Sequence, residues 1–181
     1  MNQQLVDNNY LYVPGFISVQ EADNLAQEFF IAQQDGKLQL DPQCPSSPSI
    51  YNLFPCVKLL VKKVSFVSEL LGEDVLPTYT YGRIYTPGET LKRHRDRDAC
   101  EISFTLNLQQ SGDSWPIWIQ KPSGEEVNVT LNPGDAIMYL GCEADHWREA
   151  FQGQSYVQVF LHYVRANGPR SYAYFDKEKQ Q

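Results

Sequence analysis

The chain changes character within residues 85–108, YTPGETLKRHRDRDACEISFTLNL. A proline–glycine turn precedes a charged run, and a segment of β-forming residues follows that run. His94 and Asp96 are two positions apart in this run, so in an extended backbone they share one face while Arg95 points to the other. The pattern indicates either a solvated charged segment or half of a metal site.

The β character continues almost to the end of the chain. Six short segments rich in β-branched and aromatic residues are separated by turn signals such as Asn-Pro-Gly-Asp and Ser-Gly-Asp. No helical pattern lies between them, which favours an antiparallel sandwich or barrel. The segments are TYTYGRIY (78–85), CEISFTLNL (100–108), WPIWIQ (115–120), VNVTLN (127–132), DAIMYL (135–140) and YVQVFLHYV (156–164).

The first third of the chain has helical patterns instead. Ser18 and Glu21 form a capping box, and Ala22, Leu25, Ala26 and Phe29 then follow at helical spacing. A second helix is predicted over residues 57–71 and ends at Gly72. Its apolar face, expected to be buried against the β core, consists of Val57, Leu60, Val61, Val64, Val67 and Leu71. The proline-rich segment 41–55 between the helices is predicted to be an irregular loop.

Length and composition predict one ordinary globular domain of 181 residues. We expect a helical support region at 1–76, a β-barrel core at 77–166 and a tail at 167–181. The net charge of −7 argues against a nucleic-acid partner. The sequence contains no signal-peptide pattern and no membrane-spanning stretch, so we expect a cytoplasmic protein without a membrane partner. The oligomeric state is left open.

A second histidine would complete a 2-His-1-carboxylate triad with His94 and Asp96, the ligand set of non-haem Fe(II) oxygenases. The chain has two further histidines. His146 follows a turn and a predicted strand and begins the next β segment, so it is the candidate. His162 lies among apolar residues within a strand, where a histidine is more often part of the core.

Three segments resemble prolyl 4-hydroxylase-type 2-oxoglutarate oxygenases. YTPGETLKRHRD (85–96) is similar to the iron-binding segment of that family, with an aromatic residue, a Pro-Gly turn and a lysine two positions before the histidine. GDAIMYLGCEADHWREAF (134–151) resembles its glycine turn, strand and distal histidine. YLYVPGFISVQEADNL (10–25) resembles its first strand and helix. The resemblance extends over nearly the whole chain.

The resemblance implies a mainly β protein with N-terminal helices and a double-stranded β-helix core, a jelly-roll or cupin-like barrel. It also implies that His94, Asp96 and His146 bind Fe(II), with 2-oxoglutarate and O₂ as cosubstrates. The expected activity is that of a dioxygenase that releases succinate and CO₂ while it hydroxylates a prolyl, peptidyl or small amino-acid-like substrate.

The chain departs from the family where a cation usually binds the far carboxylate of 2-oxoglutarate. The positions nine and ten residues after His146 hold Ser155 and Tyr156. Arg148 shares the strand face of His146, so it is the first candidate for this cation. The alternative for Arg148 is a surface arginine paired with Glu149 or Asp145. The further candidates for contact with 2-oxoglutarate are Arg83, Tyr85 and Asn107.

Two other functions stay open at this point. A cupin-like barrel can bind a ligand without catalysis. A nucleic-acid demethylase on the same fold is disfavoured by the acidic composition and by the lack of a basic patch with interleaved aromatic residues.

Overall fold

The computed structural model describes residues 2–176, and its core consists of two antiparallel β-sheets packed against each other. The strands are β1 Tyr10–Val13, β2 Gln39–Asp41, β3 Cys44–Tyr51, β4 Val75–Tyr85, β5 Leu91–His94, β6 Ile102–Ser111, β7 Ile117–Gln120, β8 Glu126–Val129, β9 Ala136–Leu140, β10 His146–Arg148 and β11 Ser155–Arg165. Two 3₁₀ helices, Asp98–Cys100 and Ser171–Ala173, complete the regular structure of the C-terminal part.

The large sheet has the strand order β1–β9–β6–β11–β4–β3–β2, and the small sheet has the order β5–β10–β7–β8. Each of the six segments predicted from sequence forms one of these strands, and neighbouring strands run antiparallel. The prediction of an antiparallel β core is therefore confirmed. Apolar residues of β7 and β9 meet between the sheets and close part of the interior.

The helices are α1 Gln3–Asn8, α2 Val19–Gln34, α3 Phe54–Lys62 and α4 Val64–Leu71. The α2 helix begins with the predicted capping box, in which Ser18 and Glu21 satisfy each other's backbone N–H groups. Its buried face contacts the outer side of the large sheet. The buried residues are Ala22, Ala26, Phe29 and Ala32.

The predicted single helix over 57–71 is wrong, because the backbone leaves helical geometry at Lys63, with φ −90° and ψ −2°. One apolar stripe therefore does not continue through α3 and α4. Leu60, Val67 and Leu71 are buried as expected, whereas Val57 and Val64 are half-buried and Val61 is 49% exposed. Cys56 and Leu59 are buried in their place. The ammonium of Lys63 lies over the rings of Phe16 and Phe66, which fixes the break.

The predicted irregular loop at 41–55 is also wrong, because it contains β3. This strand pairs with β4 through residues 49–51 and with β2 at Cys44 and Ser49. Its prolines are compatible with extended backbone, since proline and the residue before it both favour that conformation. Pairing with β4, which is distant in the sequence, therefore overrides the loop-like composition.

The expected helical region 1–76 also contributes three strands, β1, β2 and β3, to the large sheet. Part of the expected tail packs on the core, where the backbone N–H of Phe175 donates to the carbonyl of Pro77 and Asp176 pairs with Arg97. Residues 177–181 lie outside the described residues. In the described part of the chain, every helix is too short or too polar to cross a membrane. The single-domain organisation stays a prediction.

Gly82 on β4 lies directly beneath the Phe29 ring of α2, where an added Cβ would be 2.1 Å from Phe29 Cζ. Gly82→Ala should therefore lower the free energy of unfolding by about 1–3 kcal/mol, measured by chemical denaturation. The control is the double variant Gly82→Ala/Phe29→Leu, in which the smaller side chain relieves the contact. Its loss should be less than the sum of the two single losses, and additive losses would contradict this packing.

Candidate active site

The two histidines of the predicted triad lie directly opposite each other in the small sheet. His94 ends β5 and His146 begins β10, and the two residues are cross-strand partners. Asp96 follows in the loop after β5, and its backbone N–H donates to the carbonyl of Gly141 at 2.8 Å. Strand pairing thus brings together residues that are far apart in the sequence.

One ligand atom from each of His94, Asp96 and His146 lies within 4.8 Å of the others. Asp96 Oδ1 is 3.7 Å from Nε2 of His94 and 3.5 Å from Nε2 of His146. Ligand atoms at adjacent corners around one ion, with bonds of about 2.1 Å, lie about 3 Å apart. A small inward movement of these side chains would therefore complete a facial ligand set, and two imidazoles with a carboxylate suit Fe(II).

Backbone carbonyls orient both imidazole rings. Nδ1 of His94 lies 2.6 Å from the carbonyl oxygen of Lys92, and Nδ1 of His146 lies 3.0 Å from that of Ala144. A carbonyl oxygen accepts only, so each Nδ1 carries a proton, and Nε2 is the nitrogen that can bind a metal in its unprotonated form. This is the arrangement of metal-binding histidines, whose second nitrogen donates to a carbonyl or carboxylate.

The Asp96 carboxylate has a different environment at each oxygen. Oδ1 faces the two histidines, whereas Oδ2 accepts a hydrogen bond from Ser103 Oγ at 2.9 Å. Burial raises the pKa of Asp96, but the hydrogen bond and charge of His146, with smaller effects of His162 and Ser103, outweigh it and lower the pKa to about 2. Asp96 is therefore ionised at neutral pH, which is the form that binds a metal.

A second group of possible ligands, Asp96, Cys100 and His162, also has its atoms within 4.8 Å of one another. Metals bind the thiolate form of cysteine. Burial raises the pKa of the Cys100 thiol well above its ordinary value, and its Sγ lies 3.0 Å from the hydroxyl of Tyr79. This group is therefore a poorer ligand set than the triad. His162 itself is 4% exposed, as expected for a core residue.

The triad lines a cavity of about 540 Å³ between the two sheets. The cavity has an aromatic wall on the large sheet, in which neighbouring ring centroids are 4.5–6.1 Å apart. The residues of the aromatic wall are Tyr51, Tyr79, Tyr81 and Phe160. Arg95 and Arg97 also line the cavity, and each is paired with a carboxylate, of Asp145 and Asp176 respectively. The charges at this part of the lining are therefore balanced.

Arg148 lines the same cavity although it is only 2% exposed. Its guanidinium donates to the carbonyl of Trp115 and, at 2.6 Å, to Oε1 of Gln158, and it lies over the rings of Trp115 and Tyr156. Within residues 2–176 these hydrogen-bond partners are all neutral. The alternative of a surface arginine paired with Glu149 or Asp145 is therefore wrong.

Three buried polar atoms around this guanidinium lack a hydrogen-bond partner among the described residues. They are Nε of Arg148, the hydroxyl of Tyr156 and Nε2 of Gln158. All three are hydrogen-bond donors. A buried cation without a carboxylate, next to unused donors, is costly unless an anion binds there.

The other three candidates for cosubstrate contacts do not line the cavity. Arg83 is fully buried and paired with Asp41 at 2.6 Å, so its charge is already neutralised. Tyr85 packs its ring against Trp115, with centroids 4.7 Å apart. Asn107 donates to Oε1 of Gln110 and to the carbonyl of Leu131.

Two residues that sequence reasoning missed contact the Asp96 carboxylate. Ser103 donates to it, and Gly141 leaves room for it, since an added Cβ would be 2.5 Å from Asp96 Oδ2. A signal for Ser103 was present in β6, where the polar residues Ser103, Thr105 and Asn107 alternate with apolar ones. For Gly141 the signal was a glycine at a strand end, which often marks close approach of another group.

No family model matches the sequence, and no curated protein matches it. Solved structures of similar fold include a prolyl-4-hydroxylase from Pseudomonas putida, with 18% identity, a TM-score of 0.73, and coverage of 90% of this chain and 96% of that one. The epimerase SnoN from nogalamycin biosynthesis, solved with Fe3+, alpha ketoglutarate and nogalamycin RO, has 12% identity, a TM-score of 0.76, and coverage of 98% and 88%.

HygX from Streptomyces hygroscopicus, solved with nickel, 2-oxoglutarate and hygromycin B, has 13% identity, a TM-score of 0.72, and coverage of 92% of this chain and 88% of that one. At these identities the likeness establishes the fold. The predicted double-stranded β-helix is therefore confirmed.

Single alanine substitutions of the triad should each remove the ability to bind a divalent metal. We expect His94→Ala, Asp96→Ala and His146→Ala to weaken Co(II) binding by more than about 100-fold, measured by visible absorption, because each removes one of the predicted ligands. Circular dichroism should show that the variants stay folded. If His162→Ala abolished binding while His146→Ala retained it, the distal ligand would be wrongly assigned.

Proposed function

We propose that this protein is an Fe(II)- and 2-oxoglutarate-dependent oxygenase. The main support is one cavity lined both by a 2-His-1-carboxylate ligand set and by a buried arginine with only neutral partners among the described residues. The ligand set suits a divalent metal, and Arg148 suits an anion. The ligands crystallised with SnoN and HygX, a transition metal and 2-oxoglutarate, support the same pairing.

In this proposal His94 and His146 hold the metal through Nε2, and Asp96 holds it through Oδ1. With only three protein ligands, a bound metal would keep coordination positions for the cosubstrate and O₂. When bound, Fe(II) would couple the oxidation of 2-oxoglutarate to succinate and CO₂ with hydroxylation of the substrate by O₂.

Arg148 is proposed to bind the C5 carboxylate of 2-oxoglutarate. Its planar guanidinium can bind a carboxylate through two parallel hydrogen bonds, and its Nε is unused among the described contacts. The free donors of Tyr156 and Gln158 lie beside it and would add neutral hydrogen bonds. Arg83, by contrast, is neutralised by Asp41 and is proposed to stabilise the fold.

The substrate is proposed to be a prolyl or peptidyl residue or a small amino-acid-like molecule. The aromatic wall supports this class because it presents ring surfaces. The hydroxyl of Tyr81 is bound to Asp41, the hydroxyl of Tyr79 lies beside Cys100, and Phe160 has none. An apolar ring such as that of proline packs well against such a surface.

The proposal is tested by incubating the purified protein with Fe(II), 2-oxoglutarate and O₂ and a panel of amino acids and proline-containing peptides. We expect succinate that depends on Fe(II) and increases with a matching substrate, and none from Asp96→Ala. Binding of 2-oxoglutarate without succinate formation across the panel would instead favour a non-catalytic binding barrel. If the metal-loaded protein failed to bind 2-oxoglutarate, the proposal would be refuted.

Arg148→Ala should weaken 2-oxoglutarate binding strongly while metal binding persists. Loss of a charged hydrogen bond to a bound ligand costs about 2–5 kcal/mol, or about 30- to 5000-fold in affinity. Arg148→Lys should recover only part of this affinity, since an ammonium lacks the planar fork. The comparison variant is Arg83→Ala, which should mainly lower stability. If Arg83→Ala abolished 2-oxoglutarate binding and Arg148→Ala did not, Arg148 on β10 would be the wrong residue for the C5 carboxylate, and Arg83 on β4 would be the right one.

A further inference from the structure

The third histidine of the chain, His162, is connected to Asp96 by hydrogen bonding through one hydroxyl group, that of Ser103. Ser103 on β6 and His162 on β11 are cross-strand partners, and both are buried. Ser103 Oγ lies 2.9 Å from Nδ1 of His162 and 2.9 Å from Oδ2 of Asp96. It also lies 3.0 Å from the carbonyl oxygen of Cys100.

The hydroxyl of Tyr139 also lies beside Ser103. The Ser103 hydroxyl has one hydrogen to donate among these neighbours, so its direction depends on whether His162 donates to it or accepts from it. If Nδ1 of His162 carries a proton, it donates to Ser103 Oγ, and the serine hydrogen is free to point to Asp96. If Nδ1 carries none, it competes for the serine hydrogen. A hydrogen bond to an ionised carboxylate is about twice as strong as one between neutral groups, which favours the first arrangement.

The direction of this hydrogen matters because the two oxygens of Asp96 have different neighbours. Oδ1 faces Nε2 of both histidines of the triad, and Oδ2 is turned towards Ser103. Gly141 lies next to Oδ2 and has no side chain that would collide with it, so the carboxylate can take this orientation. A carboxylate held in this way presents one oxygen to a metal rather than two.

We propose that His162 and Ser103 form a relay that holds Asp96 in one-oxygen coordination and thereby keeps a metal position free for the cosubstrate. This inference rests on the proposed function. Without the relay, the carboxylate would be free to rotate and turn both oxygens towards a bound metal. It would then compete with 2-oxoglutarate for that metal. His162 and Ser103 are thus positioning residues that act through Asp96.

The experiment measures Co(II) affinity, the Co(II) visible spectrum and the affinity of the Co(II)-loaded protein for 2-oxoglutarate, without turnover. Ser103→Ala and His162→Leu each remove the relay. Each should weaken 2-oxoglutarate binding by about 10-fold or more and change the Co(II) spectrum, as expected for loss of a group that orients a metal ligand. His162→Asn should stay close to the wild type, because the asparagine amide can donate from nearly the position of Nδ1.

Two further variants separate the relay from general damage to the interior. Thr105→Val removes a buried hydroxyl from the same face of β6, and that hydroxyl contacts Tyr139 instead of Asp96. It should leave the Co(II) spectrum and 2-oxoglutarate affinity unchanged. The double variant Ser103→Ala/His162→Leu should lose no more than either single variant, because both act through one hydrogen bond.

The outcomes distinguish the relay from the proposed function. Wild-type protein that bound neither Co(II) nor 2-oxoglutarate would overturn the proposed function and the relay with it. Wild-type protein that bound both, with Ser103→Ala and His162→Leu equal to Thr105→Val, would overturn the relay alone. If Ser103→Ala did not fold, the comparison of His162→Leu with His162→Asn would decide, and equal losses in the two would refute the relay.

Discussion

The pairing of β5 with β10 is the constraint on which the rest of the site depends. It sets His94 opposite His146, and the adjacent loop then brings Asp96 to the same point. Side chains alternate between the two faces of a strand, so a slip of one residue would turn His146 out of the cavity. The pairing of His146 with Ile119 of β7 on its other side holds the same register. A strand of three residues is therefore positioned by both of its neighbours.

Two buried arginines show how the same side chain acquires different roles in one interior. Arg83 has the carboxylate of Asp41 beside it, so its charge is compensated within the protein. Arg148 has two neutral acceptors and two aromatic rings instead. Burying a charge without a partner is costly, and such a residue persists where a ligand supplies the missing charge. Both arginines are buried, so burial does not distinguish them. What distinguishes them is that a carboxylate pairs with Arg83, whereas the described hydrogen-bond acceptors of Arg148 are neutral.

Local patterns predicted the parts of the molecule that local rules control. The capping box of α2 and the six strands follow from periodicity and turn chemistry. His94 and Asp96 line one cavity, but Arg95, which was expected on the opposite face, lines it too, because Arg95 and Asp96 lie in the loop after β5. The break between α3 and α4 at Lys63 could not be predicted from local patterns, because Lys63 contacts Phe16, which is distant in the sequence, as well as Phe66. The strand β3 could not be predicted from local patterns either, since its partner β4 is distant in the sequence.

The environment of Asp96 could be predicted only in part. Alternation in β6 indicated an inward polar face, but not which residue Ser103 would contact. That Gly141 lies against the same carboxylate, and that Arg83 pairs with Asp41, depends on how distant loops fold together. Arg148 could be identified from the sequence because it lies two positions after His146 on the same strand, and alternate residues of a strand share one face.

The two faces of the large sheet have separate tasks. The largest hydrophobic cluster joins the helices to the outer face, and among the described residues it includes none from the strands of the small sheet. The cavity lining comes from the inner face, the small sheet and the adjoining loops. Mutations of the cavity lining therefore leave most of the apolar core intact. Such a division makes the protein evolvable. Substitutions in the lining can change substrate preference while the free energy of unfolding stays largely the same.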